Sequence, residues 1–329
     1  MSREFPKEGI LLLRLPNWVG DAVMATPAVA NLLAVYEGLA LIGRPHVLGL
    51  FQGLPALKGL FPLEPGRGAL FALARKIRGR FRSGILLPNS FSSALLFFWA
   101  RLKARAGYAT DGRRLLLTHP VKKPRKPLHQ RDYYLHLLKA LGIETPFKKL
   151  RLFLPEEAAK RAEGFLTDLP PPRAVLAPGA AFGPAKCWPL SRYRALAYHL
   201  RRKGFSVVVV GSASEHVAGA EIVKDLARAR NLCGLLDLAT TAAVISEADL
   251  FVSNDSGLMH VAAAARVPQV AIFGSTSPEA TGPLNPRAKV LKAEVPCSPC
   301  FSRTCDRGYL CFQKIQVAEV LEACFRVIR

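Results

Sequence analysis

Apolar residues recur along this chain in short runs closed by Gly, Pro or Asn, with longer stretches of near-helical spacing between them. Residues 10–15 form such a run, and the loop Pro16-Asn17-Trp18-Val19-Gly20-Asp21 closes it. A short apolar run bounded by turn residues predicts a buried strand, and the 22–33 pattern after it predicts a helix. Residues 46–51 and 84–88 read as further buried strands, 92–105 and 131–141 as helices, and 119–127 as an irregular basic loop. The segment 155–173 starts helical and ends in Pro170-Pro171-Pro172, which cannot continue a helix. The domain boundary is expected in this segment, dividing 1–165 from 166–329, with the last helix packing back on the N-terminal domain. Beyond it the alternation resumes: strands at 174–177, 205–210, 249–253 and 269–273, and helices at 190–203, 218–228 and 256–265. Gly204 is a natural stop for the 190–203 helix. Strands alternating with helices predict α/β architecture, here two Rossmann-like, doubly wound parallel-sheet domains with a cleft between them.

Length and composition agree with that reading. At about 150 residues per domain, 329 residues make two domains. A chain that is 50% hydrophobic and 21% charged is globular. No apolar run reaches the ~20 residues of a membrane span. The N-terminal residues lack an apolar leader core, so the expected location is cytoplasmic.

Charge changes the picture more. The chain has 46 Lys and Arg against 24 Asp and Glu, a net +22. Residues 1–150 hold 24 basic and 8 acidic side chains, and the stretch 75–131 holds 15 basic ones and a single acid, Asp111. A field this one-sided attracts an anionic partner: nucleic acid, an anionic membrane surface, or a phosphorylated or carboxylated substrate. Nucleic acid is the weakest of these, because the chain has no helix-turn-helix, zinc-finger or aromatic RNA-binding signature. A solvated basic surface is the plain alternative.

Candidate chemistry gathers in loops that follow strands, where ligands collect in open α/β sheets. Asp21 follows the first strand. It reads either as a first-turn helix acid or as a general base facing the interdomain cleft. The same loop offers Asn17, Trp18 and Gly20 as acceptor-binding candidates. In Pro178-Gly179-Ala180-Ala181-Phe182-Gly183-Pro184-Ala185-Lys186-Cys187-Trp188-Pro189, the glycines permit close backbone approach and Lys186 adds a point charge suited to phosphate; an ordinary strand-to-helix loop with a solvated Lys is the plain alternative. Neither a Walker A loop nor a Gly-x-Gly-x-x-Gly fingerprint is present. Ser253-Asn254-Asp255-Ser256-Gly257-Leu258-Met259-His260 reads as a helix start that binds anions, with His260 one turn in, either part of that site or a satisfied, partly buried histidine. Glu215, after the 205–210 strand, suits ribose hydroxyls. The loop Gly274-Ser275-Thr276-Ser277 adds hydroxyls. Together these loops predict a nucleotide-diphosphate site in the second domain and an anionic acceptor on the basic first domain.

Seven cysteines, an odd number, argue against a secreted disulfide framework. Cys297, Cys300, Cys305 and Cys311 cluster, and zinc, redox chemistry and free thiols all remain open for them.

The N-terminal Leu-Pro-Asn-Trp-Val-Gly-Asp, the Pro-Gly-Ala-Ala-Phe-Gly-Pro-Ala-Lys-x-Trp-Pro segment and the Ser-Asn-Asp-Ser-Gly-Leu-Met-His segment, in this order, resemble the lipopolysaccharide heptosyltransferases of glycosyltransferase family 9. Within the family, the segment at 182–186 and the late cysteines most resemble the heptosyltransferase II branch; heptosyltransferase I is the runner-up. The resemblance implies a GT-B fold and an inverting, metal-independent transfer of heptose from ADP-heptose, a substrate rather than a cofactor. It implies a lipopolysaccharide inner-core acceptor, heptosyl-Kdo-lipid A, met peripherally at the cytoplasmic face of the inner membrane. It assigns Asp21 as general base, Lys186 to the donor diphosphate and Glu215 to the ribose. Gly179, Ala181, Phe182, Asp255, Ser256, Gly257 and His260 fall in the donor-binding segments. Ala181 stands where a polar side chain is expected, and Cys187 where a basic one is common.

Overall fold

The computed structural model describes residues 4–66 and 68–329. Residues 1–3, part of the stretch read above for a leader, lie outside the described residues. The chain divides into two compact units, Met1–Phe153 and Leu154–Arg329.

In the first unit, β1 (Ile10–Arg14), β2 (Gly38–Gly43), β3 (Leu57–Pro62), β4 (Ser83–Leu86), β5 (Ala104–Tyr108) and β6 (His119–Val121) form one parallel sheet in the order β3-β2-β1-β4-β5-β6. Helices α1 (Val19–Met24), α2 (Thr26–Leu33), α3 (Pro45–Leu48), α4 (Ala69–Ile77), α5 (Phe91–Trp99) and α6 (Gln130–Ala140) accompany it. Leu13 lies opposite Leu41 of β2 and Ile85 of β4, all wholly buried. Helices on both faces make strands apolar throughout, which is why β1 and β2 read as runs rather than alternations.

The second unit repeats the plan. It opens with α7 (Glu156–Leu166) and continues with β7 (Arg173–Ala177), α8 (Leu190–Arg202), β8 (Ser206–Val209), α9 (His216–Val223) and β9 (Ala229–Asn231). Next come α10 (Leu238–Ser246), β10 (Leu250–Asn254), α11 (Gly257–Ala264), β11 (Gln269–Phe273), α12 (Pro278–Thr281) and β12 (Ala288–Lys292). It closes with α13 (Leu310–Lys314) and α14 (Val317–Val327). The sheet order β12-β11-β10-β7-β8-β9 is the same winding as in the first unit. In both, the chain runs outward to one side, returns, and continues on the other, which opens a crevice between the two central strands at their carboxyl ends. That crevice lies between β1 and β4 in the first unit and between β7 and β10 in the second.

Several expectations shift. The units divide at 153/154 rather than 165/166, because α7 packs on α10: Arg161 bonds the Asp237 carboxylate at 2.5 Å, and Asp237 caps α10 through the Thr240 amide at 2.7 Å. The last helix, α14, packs on α8, β11 and β12 within the second unit. The 22–33 helix is two helices. Pro27 stands in the first turn of α2, and Thr26 Oγ1 donates to the Val23 carbonyl at the break. Residues 46–51 are helical, with Pro45 starting α3, and the strand is β2 instead. Both stretches are buried apolar runs, which periodicity alone does not separate. The 92–105 helix ends at Trp99; Arg101 takes a left-handed φ of 58°, and β5 follows. The basic loop at 119–127 begins with β6, and the helix expected at 218–228 is α9, starting earlier and ending at Val223.

Phe97 is wholly buried against the sheet, so close to β4 that a Cβ on Gly84 would lie 2.5 Å from its ring. Phe97→Ala is expected to cost about 3–5 kcal/mol, read as a fall in the urea midpoint for unfolding of the first unit.

Candidate functional site

In the second unit, two consecutive residues at the end of β10 hold the crevice together. Asn254 is wholly buried. Its amide nitrogen donates to the Pro178 carbonyl at 2.5 Å, and its oxygen accepts from the Trp188 amide at 2.9 Å and the Tyr193 hydroxyl at 3.1 Å. It therefore ties both ends of the 178–189 loop to β10. Asp255 accepts on one oxygen from the Lys186 ammonium at 2.5 Å and from Thr276 Oγ1 at 2.7 Å. Side-chain exposure is 14% for Lys186 and 5% for Asp255, so this ion pair is largely removed from water. Three strands, β7, β10 and β11, thus meet through Lys186, Asp255 and Thr276.

The Lys186 ammonium also lies 5.0 Å from the centre of the Phe182 ring, and the Arg303 guanidinium lies 5.5 Å from it. Sequence reasoning missed Arg303. It sits in the cysteine-rich loop, which was read only for its thiols, and its carbonyl accepts from the Ala185 amide at 3.0 Å. A Cβ on Gly183 would meet that carbonyl at 2.5 Å, and φ at Gly183 is 152°, so glycine is required on both counts. Ala181 is exposed in the same loop.

Ser256 is the N-cap of α11 but forms no side-chain cap, and its buried Oγ has no partner among the described residues. Gly257 begins the helix, leaving first-turn amides directed at the crevice. His260, one turn in, is 3% exposed. At the end of β8, Glu215 accepts from the Ser212 amide at 2.5 Å and the Ser212 hydroxyl at 2.9 Å, a capping box. Its other carboxylate oxygen lies over Gly179, where a Cβ would come within 1.3 Å of it. Gly179 is the only residue type that leaves this carboxylate room beside β7.

Cys297, Cys300, Cys305 and Cys311 line one cavity of about 330 Å³ together with Gly274, Ser275 and Ala185. The thiols are free. Among the described residues no group of three or more His, Cys, Asp or Glu side chains is placed to hold a metal ion. The loop is fastened to the end of β11, where the Phe301 amide donates to the Ser275 carbonyl and Ser298 Oγ to the Gly274 carbonyl, each at 2.7 Å.

In the first unit, Asp21 lies in the first turn of α1, part-buried at the carboxyl end of β1. It is close to Tyr134 of α6; burial, and then the Asp21 charge, push that phenol well above its ordinary range. Trp18, the N-cap of α1, is 56% exposed, Asn17 is exposed and Gly20 is buried. Asn17 Oδ1 accepts from Arg14 at 2.5 Å. Arg14 is 2% exposed, and burial, then the Arg44 charge, lower it to about 10. Arg113 is wholly buried and likewise lowered to about 10, chiefly by burial; it donates to the Tyr108, Pro88 and Ser90 carbonyls at 2.8, 2.5 and 3.2 Å.

Two Rossmann-like units in tandem, with polar loops at the carboxyl ends of their central strands, define a GT-B type glycosyltransferase fold. The family model of glycosyltransferase family 9 (heptosyltransferase) matches residues 70–310, and the chain belongs to that family. It is therefore an enzyme. The lipopolysaccharide heptosyltransferase 2 of Salmonella typhimurium is 34% identical over 84% of this chain and 86% of that protein. The solved structure of Escherichia coli ADP-heptose lipopolysaccharide heptosyltransferase II superposes with a TM-score of 0.83 at 29% identity, covering 97% of this chain and 98% of that one. A family 9 structure from Veillonella parvula, at 23% identity, shares the fold with a TM-score of 0.86 over 99% of both chains.

The seven thiols should react in order of access and acidity. Burial pushes Cys311 up and takes Cys233 and Cys324 to about 12, leaving little thiolate at neutral pH, whereas Cys300 is exposed. Iodoacetamide on native protein is expected to label Cys300 first and Cys233 and Cys324 last, with the Cys311 rate climbing as pH rises, read by peptide mass spectrometry.

Proposed function

We propose that this heptosyltransferase moves L-glycero-D-manno-heptose from ADP-heptose to the heptosyl-Kdo-lipid A inner core, inverting the anomeric centre without a metal or cofactor. The observation that carries the reading is the convergence of loops from β7, β10 and β11 on Lys186, Asp255 and Thr276, with the first turn of α11 beside them. A lysine ammonium and free helix amides are what a diphosphate needs. Lys186 keeps further donors after its bond to Asp255, since an ammonium carries three. The donor names in the related proteins support ADP-heptose as the nucleotide sugar.

In this mechanism the diphosphate lies on Lys186 and the amides at Ser256 and Gly257, which stabilise the negative charge that grows as ADP departs. Glu215, held rigid by Ser212, takes ribose hydroxyls over Gly179. Phe182, flanked by Lys186 and Arg303, and the exposed Ala181 backbone border the donor. Asp255 fixes the ammonium, and His260 supports the start of α11 from within. On the first unit, Asp21 accepts the proton of the acceptor hydroxyl while Asn17, Trp18 and Gly20 hold the acceptor sugar. The new glycosidic bond forms as the anomeric carbon–phosphate oxygen bond breaks. The proton ends on Asp21 and the electron pair on ADP. The acceptor's carboxylates and phosphates, and the anionic cytoplasmic leaflet that carries it, match the basic 75–131 stretch. No helix among the described residues is long and apolar enough to cross a membrane.

Asp21→Ala is expected to lower kcat by about 10²–10⁴-fold while ADP affinity by calorimetry stays at the wild-type value. Normal turnover would remove Asp21 as the base. Lys186→Ala should weaken ADP about tenfold or more, and an unchanged Kd would take Lys186 out of the donor site. Transfer to cores truncated after Kdo, against cores ending in the first heptose, distinguishes the two heptosyltransferase branches.

A further inference from the structure

Helix α5 is apolar on every side, and its two faces have different fates. Ser93, Ala94, Leu96 and Phe97 are buried against the first sheet. Phe91, Leu95 and Phe98 fall on the opposite stripe, with Trp99 beside it, at the spacing of one helix face. Phe91 and Phe98 are each 47% exposed and Trp99 is 39% exposed. The neighbouring helix α4 packs on α5 and contributes Phe71, 53% exposed, whose ring meets Trp99 edge-on at 5.7 Å. Four large aromatic residues therefore stand in water on adjoining helices, where burial in the core was available to their neighbours Phe97 and Leu73.

Along the chain this patch lies in a wholly basic stretch. From residue 69 to residue 105 the chain has eight Lys and Arg and no Asp or Glu. Arg75, Lys76 and Arg78 end α4 or follow it directly, all exposed. Arg101 and Lys103 follow α5, also exposed, and Arg105 lies with its guanidinium 5.6 Å from the Phe98 ring centre. Phe and Trp bracketed by arginine and lysine suit the boundary between headgroups and acyl chains, where the rings enter the interface and the cations meet phosphates. A protein partner for such a surface would have to be acidic and apolar at once; an anionic bilayer is both by construction.

We infer that the exposed face of α4 and α5, centred on Phe71, Phe98 and Trp99, is the surface by which the enzyme docks on an anionic lipid bilayer. The inference rests on the proposed acceptor being membrane-borne and names the part of the chain that meets the membrane. The rings supply insertion and the cations supply long-range attraction. Binding therefore requires both, and weakens as salt screens the charge.

The test uses the purified full-length chain and large vesicles, either phosphatidylcholine alone or phosphatidylcholine with phosphatidylglycerol, in a co-sedimentation assay. The wild type is expected to sediment with the mixed vesicles and to stay in solution with phosphatidylcholine alone. Replacing the rings together (Phe71→Ser, Phe98→Ser, Trp99→Ser) should lower the partition coefficient at least about tenfold. Transfer to a soluble, de-acylated acceptor should remain at the wild-type rate in the same variant. That rate shows the variant to be folded, and it reads the proposed reaction separately from docking. In a Trp18→Phe background, Trp99 is the exposed tryptophan among the described residues, and its emission should move to shorter wavelength on adding mixed vesicles. The inference is overturned if the ring variant sediments like the wild type, if the wild type binds neither vesicle or both equally, or if the rings prove to hold two copies of the chain together in solution. Loss of transfer to the soluble acceptor in the wild type itself would instead overturn the proposed reaction and leave the vesicle result standing.

Discussion

The second unit is organised around one buried ion pair, and what it can bind follows from how that pair is shared. Lys186 and Asp255 come from different loops, and each is nearly closed off from water. Breaking such a pair by removing one member leaves an uncompensated buried charge, which is strongly unfavourable. The 178–189 loop is thus anchored to β10 twice, by the ion pair and by the three bonds of Asn254 beside it. The pair also sets the electrostatics. Asp255 cancels most of the Lys186 charge at a distance, so the proposed diphosphate gains little from long-range attraction. It gains instead from the donors Lys186 has left and from the amides at the start of α11, both of which act only at hydrogen-bond range and in one orientation. Such a site selects by geometry rather than by charge.

The first unit presents the opposite arrangement on the same scaffold. Both sheets wind in the same order, and in both the loop after the first strand sits at the reversal point. Fold alone therefore assigns no role to either, and the difference lies in the residues placed there. On the proposed reading the second unit meets its donor with a neutralised cation and main-chain amides. The first carries 25 of the 46 basic residues with few acids to offset them, and so attracts anions from afar. In the proposed reaction a compact donor that diffuses freely is met by shape, and a large anionic acceptor by field.

Much of this was legible in the sequence, and the misses have physical causes. The 10–15, 174–177, 205–210, 249–253 and 269–273 runs became β1, β7, β8, β10 and β11, because a strand covered on both faces must be apolar throughout. The same property misled at 46–51, where a buried helical stretch is equally apolar, and β2 was passed over a few residues earlier. The edge strand β12 was invisible because partly exposed Ala, Lys and Val around one buried residue, Leu291, carry no strong pattern. At the site, the loops were found from their position after strands and their Gly, Ser and Lys content. The pairing of Lys186 with Asp255 was not, since sixty-nine positions separate them and only the sheet order brings β7 beside β10. Arg303 was hidden for a similar reason: the cysteines around it dominated the reading, and its approach to Phe182 is a tertiary event.

The two buried arginines of the first unit bear on how the proposed anionic acceptor would be held there. Arg14 and Arg113 lie under the carboxyl ends of the central strands, and the bonds described for both run to carbonyls and, for Arg14, to Asn17. Burial lowers each to about 10, which still leaves both protonated at neutral pH. The partners described for both are uncharged, Arg14 Nε and Arg113 Nη2 have no partner among the described residues, and the Asp111 charge offsets part of the lowering at Arg113. These two cations are accordingly fixed positive charges beneath the loops that carry Asn17 and Ser90, shielded from salt by the protein itself. Surface lysines and arginines around α4 and α5 lose their pull as ionic strength rises, while the field from Arg14 and Arg113 persists. On the proposed reading, delivery to the membrane and retention of the acceptor at the β1 loop are separable by salt, because the first depends on exposed charge and the second on buried charge.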